Sequence, residues 1–152
     1  MNWKQNRIEA ALKGENPTVL IRMKSGFAVL GDTQFLPGYC ILLGYPQAGS
    51  LNDLSIEQRA DFLMDMTRIG DAITSVCKPF RVNYEILGNT DAFLHAHIFP
   101  RYEWEPEERR KAPVFLYPKE NWTLEEHQFN KEKHATLREQ LTIKLKELIS
   151  IK

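Results

Sequence analysis

The segment Phe93-Leu94-His95-Ala96-His97-Ile98-Phe99-Pro100-Arg101 constrains the fold of this chain more than any other stretch. In a strand, alternate residues point to opposite faces. Leu94, Ala96 and Ile98 then make one wholly apolar face, which calls for a packed layer of helix over it. Phe93, His95, His97 and Phe99 share the other face, with the two imidazoles roughly 7 Å apart along the strand. Two of the four histidines of the chain therefore stand side by side on a strand otherwise suited to a core.

The remaining pattern supplies partners for that strand. Residues 2–13 predict a short amphipathic helix with Trp3, Ile8 and Leu12 near helical spacing and Gly14 as its stop. Thr18–Arg22 and Phe27–Gly31 read as strands joined by a turn, and Tyr39–Tyr45 as a third, mostly buried strand. Ser55 and Gln58 make a capping box ahead of Phe62, Met66, Ile69, Ile73 and Val76, which recur at helical spacing until Pro79 bars continuation. Arg81–Leu87 and Leu94–Phe99 are strand candidates separated by the polar turn Gly88–Ala92. After a charged, proline-punctuated loop, Thr123 with Glu126 predicts a second capping box and a C-terminal helix over about residues 124–149. Strands and helices that do not strictly alternate point to an α+β fold, mainly antiparallel, with residues 1–152 forming one domain.

Lys+Arg and Asp+Glu both number 20, so the net charge is zero. That balance argues against broad electrostatic binding to polymeric nucleic acid or an anionic membrane. No stretch reaches the roughly 18 apolar residues of a membrane span. The N-terminal residues have no continuous apolar run of the kind that marks a signal peptide. Cys40 and Cys77 are far apart and form no Cys-x-x-Cys motif, so reduced thiols and a cytoplasmic location are expected.

Two imidazoles on one face can grip one phosphate. Near neutral pH one ring can be a neutral nucleophile while the other stabilises charge, and attack on phosphorus splits one displacement into two easier steps. The neighbouring Gly88-Asn89-Thr90 offers backbone N–H groups and the Asn89 and Thr90 side chains as anion donors. His-x-His is also found as two of three metal ligands, and as a pair packed in a core by chance. Spacing alone leaves all three readings open, although neither Cys77 nor Glu85 stands at a recognisable metal-ligand spacing.

The run Phe-Leu-His-Ala-His-Ile-Phe-Pro-Arg resembles the histidine-triad signature, His-φ-His-φ-His-φ-φ with φ apolar, followed in hydrolase branches by Pro-Arg. Alignment on Pro100-Arg101 puts His95 on the middle histidine, His97 on the last and Phe93 on the first. The resemblance extends over about residues 18–101. Val82–Asn89 is similar to the preceding family strand, with Asn83 at a phosphate-side position, and Pro37-Gly38-Tyr39 stands where the family has Pro-Gly-His. Leu87–Tyr102 is most similar to a compact bacterial branch of dinucleoside polyphosphate hydrolases.

The resemblance implies a five-stranded, mainly antiparallel sheet with two main helices, a homodimer, and hydrolysis or transfer at the α-phosphate of a nucleotide such as a diadenosine polyphosphate. His95 would be the nucleophile that becomes nucleotidylated, and His97 would hydrogen-bond the phosphate oxygens. Asn83, Asn89 and Thr90, with Arg101, would position the phosphates. No metal ion is required to make the nucleophile, and a divalent metal could arrive with the nucleotide. Two departures stand out. Phe93 cannot donate a proton, which implies good leaving groups or weak turnover. Gly31 occupies the expected place of a ribose-binding acid, with Asp32 one position away as the candidate. A catalytically weak nucleotide-binding or sensing protein of the same fold is the alternative.

Other residues have a functional and a plainer reading. Trp104 could cover a base or anchor its loop. Phe27 and Leu30 are better explained by core packing than by an adenine pocket. Glu107–Lys111 reads as solvated mixed charge, and His127 and His134 as surface residues.

Overall fold

The computed structural model describes residues 2–150. Five strands form one sheet in the order β1-β2-β3-β5-β4, with every neighbouring pair antiparallel. They are β1 Val19–Met23, β2 Gly26–Leu30, β3 Cys40–Gly44, β4 Arg81–Glu85 and β5 His95–Arg101. Five helices accompany them: α1 Arg7–Leu12, α2 Ile56–Cys77, α3 Glu107–Arg110, α4 Lys119–Thr123 and α5 Ala135–Ile149. Two of these are substantial, α2 and α5, as the α+β expectation requires. Among the described residues no helix is long and apolar enough to cross a membrane.

The apolar face of β5 is covered as its alternation demands. Ala96 and Ile98 join Cys40 and Leu42 of β3, Ala28 and Leu30 of β2 and Leu20 of β1 against Phe62, Ile69 and Ile73 of α2 and Leu141 and Leu145 of α5. Phe62, Ile69, Ile73, Leu141 and Leu145 have no exposed surface, and each such burial stabilises the fold by about 1.5–3 kcal/mol. The helix that supplies most of this layer is capped as predicted. Ser55 accepts from the Gln58 N–H, and the Gln58 side chain accepts from the Ser55 N–H. Its other end closes on Lys78 in the left-handed region, directly before Pro79.

Pro100 lies inside β5, between two strands, without interrupting a ladder. The β3–β5 pairing ends at Cys40 opposite Ile98, so Pro100 is paired only with Val82 of β4. Its missing N–H thus falls past the end of β3, a position proline tolerates.

Two helix expectations need correction. The N-terminal helix begins at Arg7 rather than residue 2, because Asn6 caps it by accepting from the Glu9 N–H. The C-terminal helix begins at Ala135, not near 124. Thr123 ends α4 instead of capping α5. The intervening backbone is committed elsewhere: Phe129 N–H donates to the Asp32 carbonyl at 2.7 Å and Gln34 N–H to the His127 carbonyl at 2.7 Å. Those tertiary bonds, around the bridge of Thr33 to Gln128, take the chain through an extended stretch that no helix can include.

Candidate functional site

The sheet face turned away from α2 and α5 carries the histidine pair. Phe27 and Val29 of β2, Leu43 of β3 and Ile8 of α1 build an apolar patch against which Phe93 packs. Beside it, β5 presents His95 and His97 opposite Leu43 and Ile41. The imidazole rings lie closer than the strand rise suggests, with centroids 4.9 Å apart and planes at 77°.

Each ring is held by one hydrogen bond at Nδ1. His95, 8% exposed, has Nδ1 2.7 Å from the Phe93 carbonyl oxygen. A carbonyl only accepts, so Nδ1 carries the proton and Nε2 is left with its lone pair when the ring is neutral. His97 has Nδ1 2.7 Å from the Tyr39 hydroxyl. Its ring is parallel to Phe99, with centroids 5.8 Å apart, and meets the edge of Phe115 at 4.9 Å. Burial, and then the neighbouring His95, push its pKa down to about 4, against a smaller opposing pull from Asp91. His97 is therefore neutral at physiological pH.

An open cavity of about 470 Å³ adjoins this pair, lined by His95, His97, Phe93, Tyr39, Trp122, Asp32, Asp91, Gln47 and the α1 entrance, Lys4 to Ile8. It contains an aromatic wall, two imidazoles and charges of both signs. Asp32 is engaged by Arg7, which donates from Nη1 and Nη2 to its two oxygens at 2.7 and 2.5 Å. Both side chains are about one-third exposed, so the pair contributes at most about 1 kcal/mol. It does, however, tie α1 to the cavity rim. Among the described residues, no group of three or more His, Cys, Asp and Glu side chains is placed to hold a metal ion.

The other candidates from the sequence are distributed differently. Arg101 and Asn83 lie outside the lining of the cavity. Arg101 is 2% exposed, and it donates to Glu105 from Nε and Nη2, to Asn83 Oδ1 and the Ala112 carbonyl from Nη1, and to the Arg109 carbonyl from Nη2. Its donors are committed to holding the loop after β5, and Asn83 accepts from one of them, so the structure gives both residues a structural contact and does not bring them to the cavity with the histidine pair. Asn89 and Thr90 are exposed in the turn before β5, while Asp91 and Phe93 of the same segment reach the cavity. Trp104 is 63% exposed and stacks on Tyr102 at 5.2 Å. It anchors its loop, and the cavity-lining indole is that of Trp122, stacked on Phe115 at 5.0 Å. Leu30 belongs to the main core and Phe27 to the smaller apolar patch, as core packing predicted.

Sequence reasoning missed Tyr39, Trp122, Phe115 and Arg7. The Pro-Gly-Tyr turn was visible as a turn, but its aromatic residue gave no sign of which way it points. Trp122 and Phe115 reach the site only because the segment between them folds back over Phe99.

No family model matches the chain, and no curated protein matches it by sequence. Solved structures do match in shape. A histidine triad protein from Sinorhizobium meliloti superposes with a TM-score of 0.70 over 83% of this chain and 87% of that one, at 17% identity. A histidine triad protein from Marinobacter aquaeolei gives 0.69 over 86% and 89%, at 20% identity. The chain has the histidine-triad fold. A third protein of this shape, diadenosine triphosphate hydrolase from Plasmodium falciparum, gives 0.63 over 86% of this chain and 78% of its own, at 17% identity. At these identities the likeness is one of fold. The histidine-triad fold accounts for the five-stranded sheet and the two main helices.

Proposed function

We propose that this chain is a nucleotidyl hydrolase or transferase acting at the α-phosphate of a nucleotide, with His95 as the nucleophile. The observation that carries the reading is the bond from His95 Nδ1 to the Phe93 carbonyl, because it directs the lone pair of a neutral ring to Nε2. In the first step Nε2 forms a bond to phosphorus as the bond to the leaving group breaks and its electron pair departs with that group. In the second, water adds to phosphorus, the P–N bond breaks, its pair returns to Nε2, and the proton of the water passes to solvent. His97, neutral and adjacent, contacts the non-bridging oxygens as charge gathers on them. Asp32, in the same cavity, is the proposed ribose contact, and the aromatic wall offers a stacking surface for a base. The histidine-triad fold, shared with a diadenosine triphosphate hydrolase, supports the same substrate class.

Phe93 narrows the chemistry. It packs beside His95 with ring centroids 4.9 Å apart and has no proton to give. A leaving group that departs as a stable anion suits this site, which favours phosphoanhydrides such as diadenosine polyphosphates over phosphoramidates. Phe93 also favours a second reading, in which the chain binds nucleotides with little turnover. A homodimer remains part of the proposal. It would use the edge of β4, which has no strand beyond it among the described residues and carries the exposed Tyr84, and light scattering of the eluting protein tests it.

Intact-mass spectrometry after brief incubation with diadenosine polyphosphates, nucleoside triphosphates and nucleotidyl amines, quenched without acid, separates the two catalytic readings. A nucleotidyl adduct or released product that disappears in His95→Ala supports the hydrolase. Nucleotide binding without adduct or product across the panel leaves the binder.

A further inference from the structure

Among the described residues, the Tyr39 hydroxyl is the one partner of His97 Nδ1. It is not there by the accident of a mobile side chain. The Tyr39 ring stacks on Phe99 with centroids 4.3 Å apart and planes at 23°. The ring also lies against Gly31, where an added Cβ would fall 2.2 Å from Tyr39 Cδ2, closer than any two non-bonded carbons can pack. Glycine at position 31 is therefore the condition for this ring position. The backbone is pinned as well. Tyr39 N–H donates to the Leu36 carbonyl at 3.1 Å, and the Tyr39 carbonyl accepts from Gly31 N–H and Gln34 Nε2, each at 2.9 Å. Tyr39 is 5% exposed, so its hydroxyl is set in place before any substrate arrives.

A neutral imidazole has one N–H, and the direction of the Tyr39–His97 bond decides which nitrogen holds it. If His97 Nδ1 donated to Tyr39, the phenol hydrogen would be left without an acceptor among the described residues. His97 Nε2 would then present a lone pair beside the lone pair of His95 Nε2, on rings only 4.9 Å apart. If Tyr39 donates, the phenol is satisfied and His97 Nε2 carries a proton next to the nucleophilic nitrogen of its neighbour. The geometry points to Tyr39 as a positioning residue that donates to His97 Nδ1 and so holds His97 as the Nε2–H tautomer, a hydrogen-bond donor facing the cavity. The two histidines then have opposite tautomers, each imposed from behind: the Phe93 carbonyl makes His95 a lone-pair donor at Nε2, and Tyr39 makes His97 a proton donor at Nε2. Burial, which keeps the Tyr39 phenol protonated and His97 neutral, is consistent with that division. The value of the arrangement for phosphate chemistry rests on the function proposed above, but the tautomer assignment does not.

The test is long-range proton–nitrogen correlation NMR on protein labelled with nitrogen-15 in histidine, at pH 7, for the wild type and Tyr39→Phe. Tyr39→Phe keeps the ring, its stack on Phe99 and its seat on Gly31, and a circular-dichroism melt confirms that it folds. In the wild type, His97 is expected wholly as the Nε2–H tautomer and His95 as the Nδ1–H tautomer. In Tyr39→Phe, His95 should be unchanged while the Nδ1–H form of His97 appears. An Nδ1–H His97 in the wild type, or an unmixed Nε2–H His97 in the variant, would overturn the assignment. With a diadenosine polyphosphate that the wild type turns over, the variant should lose about 10- to 100-fold in kcat with KM nearly unchanged, by analogy with the loss when the outer hydrogen-bond partner of a metal-ligating histidine is removed. Loss expressed only in KM would also count against it. Absence of wild-type turnover would sink the proposed function and leave the NMR result standing by itself.

Discussion

Replacing Arg101 by Met separates a structural from a substrate-binding role for a residue that lies four residues beyond His97 on β5. Arg101 and Glu105 form an ion pair at 3.0 Å with side chains 2% and 0% exposed. Glu105 also accepts from the Tyr102 N–H at 2.7 Å and the Tyr117 hydroxyl at 2.6 Å. Removing the guanidinium strands the Glu105 carboxylate in a buried site and frees the Asn83 side chain and the Ala112 and Arg109 carbonyls. Breaking a buried pair from one side costs about 3–5 kcal/mol, a large share of the roughly 5–15 kcal/mol that stabilises a typical domain. With a urea slope of about 2 kcal/mol per molar, the midpoint should fall by about 2 M. Urea unfolding followed by tryptophan fluorescence measures it, because Trp104 sits in the loop that Arg101 fastens through Glu105, Arg109 and Ala112, and Trp122 of α4 packs in the cluster that holds Tyr117, a donor to Glu105. Equilibrium binding of a nucleotide, measured on the fraction that remains folded, should change little. A stability loss under about 1 kcal/mol combined with a selective drop in nucleotide affinity would refute the reasoning and return Arg101 to the phosphate site.

Three further outcomes follow from the same geometry. Gly31→Ala should destabilise the protein by about 1–3 kcal/mol through overpacking against the Tyr39 ring, and an unchanged melting temperature would show that the ring is free to move. His97 has a folded-state pKa of about 4 against an ordinary 6.5, so between those values the unfolded chain takes up the proton first and stability falls as pH drops. Melts of wild type and His97→Asn from pH 4 to 7 should therefore converge towards pH 4, while equal slopes would contradict a buried neutral ring. Phe93→His should raise turnover of nucleotidyl amines relative to phosphoanhydrides, since it restores a proton donor beside the leaving group; an unaltered ratio of kcat/KM would argue that leaving-group protonation does not limit the reaction.

What was legible in the sequence was whatever depends on neighbours along the chain. The Leu94-Ala96-Ile98 alternation required a helical cover on one face of β5, and α2 and α5 provide it. Ser55 and Gln58 cap α2 reciprocally because both partners lie within one turn. The pairing of His95 and His97 on the opposite face is equally local, a consequence of the two-residue repeat of a strand.

Residues whose role depends on distant segments were not legible. Thr123 and Glu126 have the same capping-box spacing as Ser55 and Gln58, yet Asp32 and Gln34 capture the backbone around them and the helix starts at Ala135. Arg101 follows the histidines closely enough in sequence to look like a phosphate ligand, but Glu105, Ala112, Arg109 and Asn83 surround its guanidinium. Trp104 and Trp122 are both indoles in the polar, proline-punctuated sequence that follows β5, and only the fold-back over Phe99 decides which of them lines the cavity. Tyr39 lies 58 residues from His97. A short-range pattern can determine which residue types share a face, because backbone geometry repeats. The protonation of a ring and the partner of a charge are set by burial and by hydrogen bonds that only the folded chain brings together.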